Sequence, residues 1–392
     1  MTFLFTFLFM VIVFWRPQEW LLPFLFGWPI LDVVFYLALL GLLVETESGT
    51  VRLPREQPQV YLIPGLWVAA ILSHAAHTYF AGIMWTILPV FKICFFTFVF
   101  YCVLDRVSRL VWVTRAIVFM ACFMAVHAVM QIEFGQGFAG QPPIVLLYQQ
   151  RAIFFGIFED PNDLAQMLAA SIPLAFVLFY RRNVVGFVLG CGITWLLISG
   201  ILATGSRGGI VALVTTLAMM FVLLLPARWL PKVTVLFVVM ALVLCSFSAP
   251  FLDDSAHDRV VFWGTVNWEF KRTPIFGLGY NMFNEYAPDD RAAHSAFVQC
   301  YTELGLVGYF FWFGLIFVAV LGAFRARIAL NKAGSTEEAW LRRFAGLAIA
   351  SMAGFCASSY FLSRAFLYPL FFLMALVGAV ARVADQYLPE DH

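Results

Sequence analysis

Apolar runs long enough to cross about 30 Å of hydrocarbon recur from residue 2 to residue 383, and they dictate what this chain can become. In hydrocarbon every backbone N–H and C=O must be paired within the protein, which leaves helices or a closed barrel. The runs are helix-length and show no alternation of apolar and polar residues, so the expectation is an all-α polytopic membrane protein. Only 12% of the 392 residues are charged, roughly half the share of a soluble domain. A net charge of +1 gives no electrostatic case for nucleic-acid binding.

Twelve spans are expected, at about 2–15, 24–44, 60–80, 83–104, 110–131, 163–180, 184–203, 209–225, 232–250, 296–323, 344–361 and 365–383. The first run, "MTFLFTFLFMVIVFW", has no basic leader and no small-residue cleavage site, so it reads as a retained helix. All seven cysteines lie in or beside apolar runs without a CxxC, as small buried hydrophobes do. The chain reads as a single integral domain, 1–392, with an outer loop at 132–162 and a larger one at 251–295.

Alternating the connections sorts the charges into two classes. Arg52, Arg55, Arg106, Arg109, Arg181, Arg182, Arg228, Lys232, Arg325, Arg327, Lys332, Arg342 and Arg343 fall in one. Short basic loops mark the cytoplasmic side, so both termini are expected there. The two long connections then face outward. They and the neighbouring turns carry Arg16, Arg151, Arg207, Arg259, Lys271, Arg272, Arg291 and Arg364, against the positive-inside trend. Arginines gathered at one face suit an anionic ligand, since the guanidinium fork matches phosphate oxygens.

Two stretches carry the chemistry. In "ATGSRGGIVAL", Ala203 to Leu213, glycines permit a sharp turn and Ser206 or Gly208 can open the next helix. A helix N-terminus favours an anion, and Arg207 adds a full charge there. A tight hairpin whose arginine reaches headgroups is the alternative. In "DRAAHSAFVQCYTELGLVGYFFWFGL", Asp290 to Leu315, His294 precedes a long apolar run. On a helix, His294, Val298, Tyr301, Gly305 and Gly308 share one face, with the glycines admitting a neighbouring helix closely. Glu303 points the other way and is expected to make an interhelical ion pair or hydrogen bond. A helix over 296–323 would be about 42 Å long, so its outer end can carry His294 into water. A histidine near neutral pKa is a natural general base for a sugar hydroxyl; a helix-cap or interfacial role is the alternative.

The pattern His294-Ser295-x9-Gly305-x2-Gly308-Tyr309 resembles the signature of the O-antigen ligase family, within the ligase and polymerase superfamily of bacterial surface polysaccharides. Supporting motifs follow in family order: "FGIFEDPNDLAQMLAASIPL" (Phe155 to Leu174), "TGSRGGIVAL" and "DRVVFWGTVNWEFKRTPIFGLGYNMF" (Asp258 to Phe283). The resemblance implies about twelve transmembrane helices with a large periplasmic loop between the ninth and tenth, which carries part of the active site. It implies a glycosyltransferase of the bacterial inner membrane whose site faces the periplasm. The implied donor is a glycan on undecaprenyl diphosphate, and the acceptor a hydroxyl of lipid A-core or another glycan. Carried over by motif, Arg207 and Arg259 would bind the diphosphate, with Arg291 beside them. His294 would activate the acceptor, and Ser206, Glu303, Gly305 and Gly308 would support the site.

No cofactor and no metal are expected. The pairs Asp253-Asp254 and Asp289-Asp290 read as solvated loop acids, and Asp160, Asn162 and Asp163 as caps for the helix that follows. Trp263 and Trp268 suit an interfacial helix over a lipid groove. A chain polymerase of the same superfamily is the near alternative. A transporter or flippase, with Lys92, Arg115 and His127 on its path, is the distant one.

Overall fold

A computed structural model of the chain describes residues 1–51, 53–146, 149–179, 184–224, 254–332 and 334–387. Its long helices are α1 (Thr2–Trp15), α2 (Ile30–Glu47), α3 (Gln59–Ala75), α4 (Phe80–Val103), α5 (Val107–Phe134) and α6 (Pro161–Phe179). There follow α7 (Val184–Ala203), α8 (Arg207–Leu224), α9 (Asp254–Phe270), α10 (Ala296–Ala329), α11 (Thr336–Ser359) and α12 (Tyr368–Ala384). Each expected span meets one of these helices except 232–250, which lies outside the described residues. By length and composition, the helices at Phe80–Val103, Val107–Phe134, Val184–Ala203, Ala296–Ala329 and Tyr368–Tyr387 can cross a membrane.

Local chemistry sets the helix ends. Gly135, at φ +73°, closes α5 in the left-handed conformation that glycine tolerates. Ser335 accepts the Glu338 amide at 3.1 Å while its hydroxyl reaches the Glu338 carboxylate, a reciprocal cap that opens α11. The second expected span starts later than the apolar run, at Ile30, because Pro23 and Pro29 hold the preceding residues in short turns. The loop expected over 132–162 contains a two-stranded antiparallel hairpin, Ile144–Leu146 with Gln149–Arg151. The 251–295 connection contains α9, so this long segment, expected as an outer loop, is partly helical.

Packing follows the apolar character. Phe96, Phe100, Trp312 and Phe372 are fully enclosed, while Trp85, Phe187, Trp195, Phe310 and Phe317 lie exposed on the bundle surface. Helices that are apolar on both faces belong in hydrocarbon, where outward phenylalanines carry no hydration cost. Helix α11 lies against α6 and α8, and α10 against α3 and α12.

Polar contacts gather at the two ends of the bundle. At one end Glu45 takes the amino terminus, Asp105 pairs Arg106 and Arg109, Arg382 donates to the Cys102 carbonyl and Gln386 to that of Asp105. At the other end, segment 149–162 joins the α7–α8 turn and the turn at 360–366, which holds the residues before α10. Among the described residues, Arg106 and Arg109 of the first charge class thus lie at one end and Arg151 and Arg364 of the second at the other, while Arg52, Arg181, Arg182, Arg228 and Lys232 lie outside the described residues.

Helix α10 departs from expectation. At Gly305 (φ +68°, ψ −171°) its ladder is broken, and the segment 274–279 fills the gap. Leu278 N–H and Gly279 N–H donate to the carbonyls of Thr302 (2.8 Å) and Glu303 (2.9 Å). Across the break, Leu306 N–H and Val307 N–H donate to those of Pro274 (2.9 Å) and Ile275 (3.1 Å). Four of the backbone groups that a break would orphan are therefore paired with this segment.

Candidate functional site

The α7–α8 turn is built for a sharp reversal. Gly205 adopts φ +58°, the Ser206 amide donates to Thr204 Oγ1, and Ser206 Oγ accepts the Gly209 N–H at 2.9 Å. Ser206 is thus the N-cap of α8, as its residue type favours. A Cβ on Gly209 would lie 2.4 Å from that of Ala165, so the glycine lets α8 approach α6. Arg207 stands exposed at the first position of α8, where the helix dipole favours an anion.

Segment 149–162 braces this turn. The Ser206 hydroxyl donates to Asn162 Oδ1 at 2.6 Å, and Asp160 Oδ1 accepts both the amide (2.7 Å) and the side chain (2.9 Å) of Asn162. Asp160 therefore caps α6 as expected, while Asn162 reaches across to the next helix pair. Arg151 Nε donates to the Thr204 carbonyl at 2.8 Å, and its Nη2 to Asn162 Oδ1 at 3.3 Å.

The histidine arm comes from the other side. Ser295 caps α10 through the Val298 N–H, so His294 precedes the helix and does not share its face. Its backbone is left-handed, φ +48°, and its N–H donates to Ser363 Oγ. Helix α9 clasps the same arm. Trp263 Nε1 donates to the Ala293 carbonyl at 2.6 Å, Asn267 accepts the Tyr301 hydroxyl at 2.6 Å, and Arg291 lies 5.0 Å over the Phe262 ring. Residues 259, 262, 263, 266 and 267 share one face of α9, which brings half-buried Arg259 to the histidine.

The imidazole is open at its rim, yet surrounding protein displaces enough water to lower its pKa below the usual histidine value. Arg259 adds to that lowering and so does Arg291, while Asp160 opposes them. His294 is therefore biased toward the neutral form that can accept a proton.

Sequence reasoning named His294, Arg207, Arg259, Arg291 and Ser206, and all lie at this end of the bundle. His294 sits with Arg259 and Arg291; Arg207 is linked to them through Ser206, Asn162 and Asp160. Other roles differ. Gly305 was expected to admit another helix, yet a Cβ there would lie 2.3 Å from the Ile275 carbonyl oxygen, so it admits the 274–279 backbone instead. Gly308 is likewise hemmed by the Leu304 side chain of its own helix. Glu303, 1% exposed, makes the expected hydrogen bond between helices, to the first residue of the short helix Phe283–Tyr286, and no ion pair to it is seen among the described residues. It accepts the amides of Asn281 (3.0 Å) and Phe283 (3.4 Å), with Gln299 of α10 beside it.

Asp160, Asn162, Arg151 and Arg364 were not assigned to the site. Arg364 breaks the positive-inside trend in a tight turn and the "EDPND" string stacks polar groups before a span; both were available signals. The three residues weighed for a transport path are each engaged locally. Lys92 pairs Asp32, Arg115 lies 5.6 Å over Trp112, and His127 takes the Phe138 amide and meets Gln141. Among the described residues no group of three His, Cys, Asp or Glu side chains is disposed to hold a metal ion. Asp253 lies outside the described residues; Asp289 and Asp290 are exposed.

A histidine held toward its neutral form, with Arg259 and Arg291 beside it, thus stands at one end of a bundle whose long helices are apolar enough to cross a membrane. Residues 192–313, from within α7 to within α10, match the family model described as O-antigen ligase. The match contains Arg207, Arg259, Arg291 and His294, in agreement with the resemblance read from the motifs; the Phe155–Leu174 motif lies outside it. No curated protein matches the chain.

Proposed function

We propose that this protein transfers a glycan from undecaprenyl diphosphate to an acceptor hydroxyl, on lipid A-core or a similar glycan, at the periplasmic face of the inner membrane. An imidazole nitrogen of His294 takes the proton of the acceptor hydroxyl as its oxygen attacks the anomeric carbon. The bond from that carbon to the diphosphate breaks, and the leaving group departs with the electron pair. Arg207, Arg259 and Arg291 bear the charge that develops on it, in place of a divalent cation. The carrying observation is His294 itself, held toward its neutral form beside Arg259 and Arg291. A base must be unprotonated at working pH, and the cations that lower its pKa are suited to bind the leaving group.

The test uses purified protein and an undecaprenyl-diphosphate glycan. His294→Ala is expected to cut the transfer rate by roughly 10² to 10⁴, the usual range for general-base catalysis, with donor binding intact. Wild-type transfer is expected to persist in excess EDTA. Normal turnover by His294→Ala would remove the base assignment; loss in EDTA restored by Mg²⁺ would remove the metal-independent mechanism. Offering lipid A-core and a second lipid-linked glycan in parallel separates ligation from polymerisation, which uses the same residues.

A further inference from the structure

The transfer chemistry leaves unused an ion cluster beside the histidine: Asp160, Asp163 and Arg364. We propose that Arg364 is a positioning residue for His294, anchored by buried Asp163, which holds Asp160 at the histidine and fixes the turn whose Ser363 takes the His294 amide. The inference rests on the reading of His294 as the base.

Asp163, only 4% exposed, lies in the first turn of α6 with its Oδ2 2.7 Å from Arg364 Nη2. A carboxylate that enclosed requires a cation, so Arg364 is committed to this place. The same nitrogen lies 4.0 Å from Asp160 Oδ2. Asp160 Oδ1 is meanwhile occupied by the two Asn162 donors, so the carboxylate is gripped from both sides. One residue before Arg364, Ser363 Oγ accepts the His294 N–H. One residue after it, the Ala365 amide donates to Gln299 Oε1 (3.3 Å) and its carbonyl accepts Trp312 Nε1 (2.8 Å). The turn is thus tied to α6 through Arg364 and to α10 through Ala365. Asp160 in turn leads through Asn162 to Ser206 at the head of the Arg207 helix. Arg364 therefore joins the part of the site that would hold the diphosphate to the part that would hold the acceptor.

The charged groups facing His294 are Arg259 from α9, Arg291 from its own segment and Asp160 from the head of α6, with Arg364 beyond Asp160. Removing the Arg364 guanidinium leaves the Asp160 charge unopposed, which stabilises protonated His294. Neutralising Asp160 does the reverse. The two substitutions must therefore move the acid limb of the transfer rate in opposite directions, which a merely structural role would not produce.

The experiment measures transfer by full-length protein in detergent across pH and over a range of donor concentrations, the acid limb being read in kcat/KM. In Arg364→Gln the acid limb is expected to move up by about half a pH unit, and in Asp160→Asn down by a similar amount, the size set by a unit charge near a solvent-open group. Arg364→Lys is expected to return the limb towards wild type. All three are expected to lower kcat more than they raise the donor KM. Asp160→Asn keeps an acceptor for Asn162, so the test stands even if Arg364→Gln does not reach the membrane. Unmoved limbs in Arg364→Gln and Asp160→Asn, with His294→Ala inactive, would overturn the positioning role while leaving the base. An active His294→Ala would overturn the base, and the positioning role with it.

Discussion

Placing a methyl group on Gly305 tests the structural feature that most separates this protein from a plain bundle. Gly305 sits at φ +68°, ψ −171°, a region essentially restricted to glycine, and its Cβ would meet Ile275 O at 2.3 Å and Gly277 N at 2.5 Å. If segment 274–279 stays in place, alanine at Gly305 carries backbone strain of about 1–3 kcal/mol in addition to the clash. If the segment moves away, four backbone hydrogen bonds between it and the broken helix are lost, at about 1 kcal/mol each. Either route costs about 3–4 kcal/mol, well above the ordinary substitution. Gly277→Ala meets the same junction from the other side, since its Cβ would lie 2.4 Å from Gly305 N, so the two changes should be less than additive. Gly314→Ala is the control on the same helix. Its nearest neighbour is Leu62 Cδ2 at 3.5 Å, an ordinary contact, and alanine is the better helix former. The assay is the fraction of monodisperse protein surviving a heat ramp in detergent, with protease cleavage within 271–293 followed in parallel. Gly305→Ala is expected to melt lower and open the segment to protease, while Gly314→Ala holds or gains. Equal melting of Gly305→Ala and wild type, with the segment still protected, would refute the reasoning.

The site makes further demands. Arg207→Lys and Arg259→Lys are each expected to lose most transfer at equal membrane abundance, since a point charge does not reproduce the guanidinium fork; near-normal rates in both would make these arginines structural. Because burial and Arg259 lower the His294 pKa, the neutral base persists below the ordinary value of 6.5, and the acid limb of wild-type transfer is expected under that pH; a limb above it would contradict the environment described. Cysteines placed at Ser255 and Asp289, in a background stripped of the native ones, are expected to react with an impermeant thiol reagent in intact spheroplasts. Labelling only after lysis would reverse the orientation.

Much of this was legible in the sequence because hydrocarbon permits few choices. Apolar runs located the helices, and loop arginines separated the two ends. His294, Arg207, Arg259 and Arg291 stood out as charges in places where the environment discourages them. The break at Gly305 was not legible, because it depends on a segment some 30 residues earlier supplying the missing hydrogen bonds, and a glycine in an apolar run reads equally well as a helix contact. Glu303 was read as bonding between helices, but its partners could not be named: they are backbone amides, which carry no sequence signature. Asp160 and Asn162 were recognised as caps. Their second contacts, to Arg364 and Ser206, join residues far apart in the chain that no local pattern relates.

The two nearly buried carboxylates at this end explain how an exposed histidine can be held in a strained conformation. A left-handed backbone at a residue other than glycine, such as His294 at φ +48°, persists only when its surroundings over-determine it. Asp163 and Glu303 supply those surroundings from opposite sides. Asp163 fixes Arg364 and with it the turn that takes the His294 amide. Glu303 fixes the amides of Asn281 and Phe283, and Phe283 packs in one apolar cluster with Val266 of α9, Ala293 and Val298. Burying either carboxyl is unfavourable, but each ties a loop into a support that the histidine arm rests on. On the proposed function, the arm itself can then stay open to a lipid-borne donor and a bulky acceptor without losing its geometry.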